Sequence, residues 1–153
     1  MNCPVCPKGE CNCPQMILRL ALGVVMFAHG SQKVLGWFGG PGLNKTLAMF
    51  TQGMHIPMVV AWLPIIAEFL GGLGLIFGFL TRLSAFAIGV DMLVAVLMIH
   101  IHNGFFMNWM GNQKGEGFEY HILAIAIALA LMMMGGGCWS LDRCIWKCKE
   151  KKA

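Results

Sequence analysis

The first long apolar run of the chain, Met16 to Phe38, constrains what it can fold into more than any other stretch. Its 23 residues make about 34 Å of α-helix at ~1.5 Å per residue, enough to cross a hydrocarbon core of ~30 Å. The run carries His29, Gln32 and Lys33 in its second half and ends in a Trp-Phe-Gly-Gly-Pro-Gly turn. A span that tolerates His and Lys usually points them away from lipid. What the rest of the chain sets opposite His29 and Lys33 is therefore the central question.

The remainder is apolar in the same way. Only 12% of the 153 residues are charged, against roughly a quarter in soluble domains, and 58% are hydrophobic. Such a chain lacks the polar residues to cover a water-facing globule, and it is read as a single polytopic membrane domain. The net charge of +4 is spread over chain ends and loops, which excludes a nucleic-acid-binding patch. Ahead of the first run Lys8 is offset by Glu10, and no small-residue cleavage site follows the run. It is read as a retained span rather than a signal peptide.

The predicted architecture is all-α, a bundle of four transmembrane helices. Residues 1–14 form a Cys- and Pro-rich arm, 15–137 the membrane domain and 138–153 a Cys- and Lys-rich tail. Span one covers about 16–38. Leu43, Leu47, Phe50 and Met54 then recur at helical spacing among polar residues, which predicts a short interfacial helix. Span two, about 58–80, holds Glu68 and several glycines, among them the Gly74-x-x-x-Gly78 pair of close helix packing. Span three, about 83–102, holds Asp91 and ends in His100 and His102. Phe105, Phe106 and Trp109 follow as an aromatic belt. Span four, about 118–134, opens on Glu119 and His121. After three glycines Ser140 caps an amphipathic tail helix carrying Leu141, Cys144, Ile145 and Cys148. Four spans put both termini on one side. Eight of the eleven basic residues then fall on the terminal side, which makes that side cytoplasmic in the plasma (inner) membrane.

This orientation sorts the polar residues into two constellations. His29, Lys33, Glu68, Asp91, His100, Glu119 and His121 lie between the bilayer centre and its outer surface, with at least one from every span. A buried carboxylate beside a Lys or His is tolerable in lipid where either alone is not. The set suits a quinone site, in which His and Lys bind carbonyl oxygens and carboxylates handle protons. The alternative is pairing that merely fixes the helices. A metal held by His100 and His102 is disfavoured, because residues i and i+2 of a helix face apart.

The second constellation is cysteine. Cys3, Cys6, Cys11 and Cys13 precede span one, and Cys138, Cys144 and Cys148 follow span four. Clustered cytosolic thiols favour metal or redox chemistry over structural disulfides. The N-terminal four, with Cys144 and Cys148, could hold Zn, Cu(I) or an Fe–S cluster or exchange electrons as thiols, although their spacing matches no standard motif. Cys144 and Cys148 are also candidate palmitoylation sites. The thirteen methionines form no ladder and are read as apolar filler.

Several motifs in order resemble the DoxX family of small four-helix membrane proteins. They are Leu18-Arg19-Leu20-Ala21-Leu22-Gly23, Ala28-His29-Gly30-x-x-Lys33, Gly36-Trp37-Phe38-Gly39-Gly40, Glu68-x-x-Gly71-Gly72, Gly78-x-x-Thr81-Arg82, Gly117-Phe118-Glu119-Tyr120 and Gly137-x-x-Ser140-Leu141-Asp142. The resemblance spans nearly all of 16–142 and implies that His29, Lys33, Glu68 and Glu119 are signature polar positions. Some relatives are subunits of thiosulfate:quinone oxidoreductase, and others are linked to membrane oxidoreductase complexes and thiol stress. The expectation is a subunit of a quinone-linked redox complex, in contact with the lipid bilayer and with other subunits or further copies of itself. No flavin or nucleotide motif marks it as a complete enzyme. Two alternatives stand beside it, a Zn- or Cu-handling membrane protein and a structural anchor for soluble enzymes. The Cys-rich arms depart from the family's usual pattern.

Overall fold

The computed structural model of the protein describes residues 13–150, and every regular element among them is helical. The long helices are α1 (Cys13–Val34), α3 (Met58–Phe77), α4 (Thr81–Met98) and α5 (Glu119–Met134). A short helix α2 (Gly42–Ala48) joins α1 to α3, and α6 (Leu141–Glu150) follows α5. Among the described residues α1, α3 and α4 are long and apolar enough to cross a membrane. At 16 residues, roughly 24 Å, α5 is shorter than the ~30 Å hydrocarbon core.

Helix ends differ from the sequence expectation for local reasons. α1 begins at Cys13, inside the Cys- and Pro-rich arm expected ahead of span one. Pro14 falls in its first turn, where a missing N–H costs nothing. It ends at Val34 rather than Phe38, because Gly36 takes a left-handed φ of 71° and turns the chain into a separate 3-10 turn, Trp37–Gly39. α3 closes on a Schellman turn: Phe79 N–H donates to the Gly74 carbonyl and Gly78 N–H to that of Leu75, with Gly78 at φ 66°. Gly78 is therefore a turn residue, and it is also closely packed: a Cβ there would lie 2.5 Å from the Ser140 Cβ. α4 stops at Met98, which leaves His100 and His102 in a 3-10 turn, His100–Asn103, beyond it.

Close packing between α1 and α3 runs through Gly23, Gly30 and Gly72. A Cβ on Gly30 would lie 2.5 Å from the Phe69 backbone nitrogen, and one on Gly72 would lie 2.6 Å from that of Phe27. Glycine lets α1 and α3 touch backbone to backbone, the approach that stabilises helix pairs where no hydrophobic drive exists between them. The bundle proceeds from α1 to α3 to α4 to α5, with α1 and α5 only sparingly in contact. Leu22, Met26, Leu75, Ile88, Met92, Ala124, Ala128 and Leu131 fill its centre. The apolar side of α2 and the π-turn after it does not face lipid. Leu43, Leu47, Phe50 and Met54 pack against Ala61 and Ile65 of α3.

The ends of α1, α3 and α5 are tied together by one residue. Arg19 is 1% exposed. It donates to the carbonyls of Leu75 (3.0 Å) and Ile76 (3.1 Å) at the end of α3, and to those of Cys138 (3.4 Å) and Trp139 (3.1 Å) after α5. Two of these carbonyls lie in the last turn of α3, where intrahelical donors run out, and two in the turn between α5 and α6. Asp142 acts in the opposite sense. Its two carboxylate oxygens accept from Leu80 N–H and Thr81 N–H, each at 2.8 Å, and so cap α4. Ser140 Oγ accepts from Arg143 N–H at 3.3 Å at the start of α6.

Candidate intramembrane polar site

Lys33, in the last turn of α1, donates to Glu68 Oε1 of α3. Glu68 is buried and its second oxygen, Oε2, has no hydrogen-bond partner among the described residues. Asp91 of α4 lies within electrostatic reach of both Glu68 and Lys33, and its Oδ2 is likewise buried and unpartnered. From α5, Tyr120 lies within reach of Glu68, with its hydroxyl buried and unpartnered. The His29 ring of α1 stands 6.4 Å from that of Tyr120. His121, also of α5, is buried with Nδ1 unpartnered, and its ring is 5.5 Å from that of Tyr120. All four long helices contribute.

The cluster reaches the surface through a pair of rings in tilted contact. The His100 ring lies 4.1 Å from that of His121, and His100 Nδ1 is 2.8 Å from the exposed Glu116 carbonyl. A carbonyl only accepts, so His100 donates to it from Nδ1. Buried polar atoms are nearly always satisfied, and each one left alone costs on the order of 1–3 kcal/mol. Unpartnered oxygens on Glu68, Asp91 and Tyr120, with an unpartnered nitrogen on His121, are four of the seven buried side-chain polar atoms without a partner among the described residues. Such a set can accept and donate hydrogen bonds to a small polar group and hold a proton on a carboxylate.

Of the seven cavity residues expected from sequence, the structure brings six into this neighbourhood and sets one apart. Glu119 Oε1 accepts from the Trp109 indole N–H at 3.3 Å on the exposed side. It anchors the aromatic loop, in which Asn108 N–H also donates to Glu116 Oε2 at 2.8 Å. Tyr120 was not among the expected site residues. A signal existed, since it is the only Tyr of the chain and directly precedes His121. Ser31, buried with an unpartnered Oγ, had no such signal.

The cysteine constellation is partly described. Cys3, Cys6 and Cys11 lie outside the described residues, as does the side chain of Cys148. Cys13 Sγ is 4.0 Å from Cys138 Sγ, which joins two of the expected ends. Cys138 is disulfide-bonded and so offers no thiolate, while Cys144 is an exposed thiol. Among the described residues no three His, Cys, Asp or Glu are arranged to hold a metal ion.

Comparison with known proteins points the same way as the fold. The family model described as DoxX matches residues 15–101, from the first helix through the polar residues of the third long one. The chain is similar to "Putative oxidoreductase CatD" of Bacillus subtilis, 27% identical over 88% of this chain and 89% of that protein. It is also similar to "Inner membrane protein YqjF" of Escherichia coli, 29% identical over 86% of this chain and 92% of that one. No solved structure matches it.

Proposed function

The chain belongs to the DoxX family of membrane proteins, and from that premise we propose that it is the membrane subunit of a quinone-linked redox complex. The single observation that carries this reading is the ion pair Lys33–Glu68 within electrostatic reach of Asp91 and Tyr120, both with unpartnered buried oxygens. The oxidoreductase description of the Bacillus subtilis relative adds support. In this reading α5 is a fourth, short span, and both termini, with α6, are cytoplasmic.

A quinone supplies two-electron chemistry coupled to proton uptake and release. Its carbonyl oxygens only accept hydrogen bonds, and the cluster offers the matching donors. Lys33, the Tyr120 hydroxyl and an N–H of His121 would bind them, while the Glu68 carboxylate keeps Lys33 charged and Asp91 holds a proton at Oδ2. The apolar layer of Met26, Met92 and Ala124 just inward excludes water and sharpens these interactions. Electrons must come from a partner, because the chain has no motif for flavin or nucleotide.

The test is solvent extraction of protein purified from native membranes in mild detergent. A quinone recovered with the wild type and lost from Glu68→Gln and Lys33→Ala supports the reading. Wild-type protein that carries none, and binds none when it is added, rejects it.

A further inference from the structure

The start of α1 and the turn after α5 meet at sulfur. Cys13 and Cys138 are 125 positions apart in the chain, yet their Sγ atoms lie 4.0 Å from each other. Three further contacts hold the two segments in register. Gln15 Nε2 donates to the Met134 carbonyl at 3.4 Å, and Arg19 donates to the carbonyls of Cys138 at 3.4 Å and Trp139 at 3.1 Å. All of them arise within the first two turns of α1, so the sulfurs meet on a frame that is fixed from both sides. Reacting groups held in this way have lost most of the freedom that a bimolecular encounter must give up.

The two sulfurs differ in state and in access. Cys138 is disulfide-bonded and 1% exposed, whereas Cys13 carries a thiol and is only half-buried. A disulfide sulfur has no proton, so the S–H of this contact belongs to Cys13. Exchange begins with a thiolate placed beside a disulfide sulfur, which is this arrangement once Cys13 ionises. An S–S bond is ~2.05 Å long, so the contact must shorten by about 2 Å, a displacement of side-chain size. Burial of Cys138 keeps thiols in solution away from its sulfur. The neighbour at 4.0 Å needs no such access.

We infer that Cys13 and Cys138 form a thiol–disulfide exchange site, in which the disulfide of Cys138 passes to Cys13. Cys13 gives its proton to water, and its thiolate attacks Cys138 Sγ. The Cys13–Cys138 bond forms as the bond from Cys138 to its present partner breaks. That partner leaves with the electron pair and takes up a proton. One disulfide and one thiol stand on each side of the step, so no oxidant or reductant is consumed. The product is a covalent staple between the start of α1 and the turn after α5, together with a cysteine thiol released elsewhere in the chain. The inference is independent of what the polar cluster at the other end of the bundle binds.

Mapping of linked cysteines tests the exchange. Full-length protein is purified in mild detergent without reductant, held at pH 8, quenched in acid, alkylated and digested without reduction. Mass spectrometry with fragmentation then locates each linked pair. Two linkages of Cys138 are predicted in the wild type, one to Cys13 and one to its present partner, and Cys13→Ser leaves only the second. The present partner, once located, is then replaced by serine, and the reduced variant is treated with bis(2-hydroxyethyl) disulfide as the oxidant. Cys138 should join Cys13 in at least several-fold excess over any other cysteine. Serine is close to cysteine in size, and thermal unfolding checks that each variant is folded. A wild type in which Cys138 never pairs with Cys13, or a folded variant in which it pairs elsewhere, overturns the exchange. Either failure leaves the quinone reading where its own extraction test puts it.

Discussion

Lys33 satisfies one carboxylate oxygen of Glu68 and leaves the other buried and alone. The arrangement is thus half of a site: charge is balanced, while hydrogen-bonding capacity remains open. Removing one partner strands the other charge in a medium that cannot solvate it, whereas removing both strands nothing. Lys33→Met or Glu68→Leu alone should each cost roughly 3–5 kcal/mol, and the double variant should recover most of the loss. Unfolding of the three variants in mixed micelles measures this. Equal losses in the double and single variants would show that the pair is not coupled.

Gly30 and Gly89 make a second, sharper contrast. A methyl group on Gly30 meets the Phe69 backbone at 2.5 Å, so α1 and α3 must part. On Gly89 it meets only the Ala128 methyl at 3.5 Å, an ordinary contact. Gly30→Ala should destabilise by about 1–3 kcal/mol, the usual cost of overpacking, and Gly89→Ala should be tolerated. Thermal unfolding separates the two, and similar midpoints for both would contradict the packing described.

At the opposite end of the bundle, Arg19 binds four carbonyls in a fork that an ammonium cannot reproduce. Arg19→Lys should cost on the order of 2 kcal/mol through carbonyls left unpaired. Asp142→Ala, which uncaps α4, should cost about 1 kcal/mol. Neither residue is near the polar cluster, so ligand binding by the folded variants should be unchanged. A binding defect in well-folded Arg19→Lys protein would count against this separation.

Glu119 gives the converse test. Its carboxylate faces Trp109 in an exposed contact, so Glu119→Gln should change stability by no more than about 0.5 kcal/mol and leave ligand binding intact. Reduced binding would return Glu119 to the cluster.

The sequence made the site legible because ionisable side chains at membrane depth have so few places to go. His29, Lys33, Glu68, Asp91 and His121 could be gathered by depth alone. Glu119 could not be sorted that way. Successive helical residues are ~100° apart, so Glu119 and His121 point nearly opposite ways, and depth says nothing about direction. Arg19 read as a topology signal because a charge near a span end usually is one, while its carbonyl partners come from segments 56 to 120 residues away. The end of α1 was hidden for another reason. Gly36, which stops the helix, is the same residue type as Gly23 and Gly30, which let it pack, and only the backbone shows which is which.

The account turns on whether the cluster binds a quinone headgroup. The most direct measurement is a titration of the purified protein in nanodiscs with a short-chain quinone, followed by tryptophan fluorescence quenching. Wild type is compared with Tyr120→Phe and the paired Lys33→Met/Glu68→Leu variant, both checked for folding. Saturable binding in the wild type, weakened in Tyr120→Phe and absent from the folded double variant, is the predicted result. Binding of equal strength in all three proteins, or none in the wild type, would contradict it.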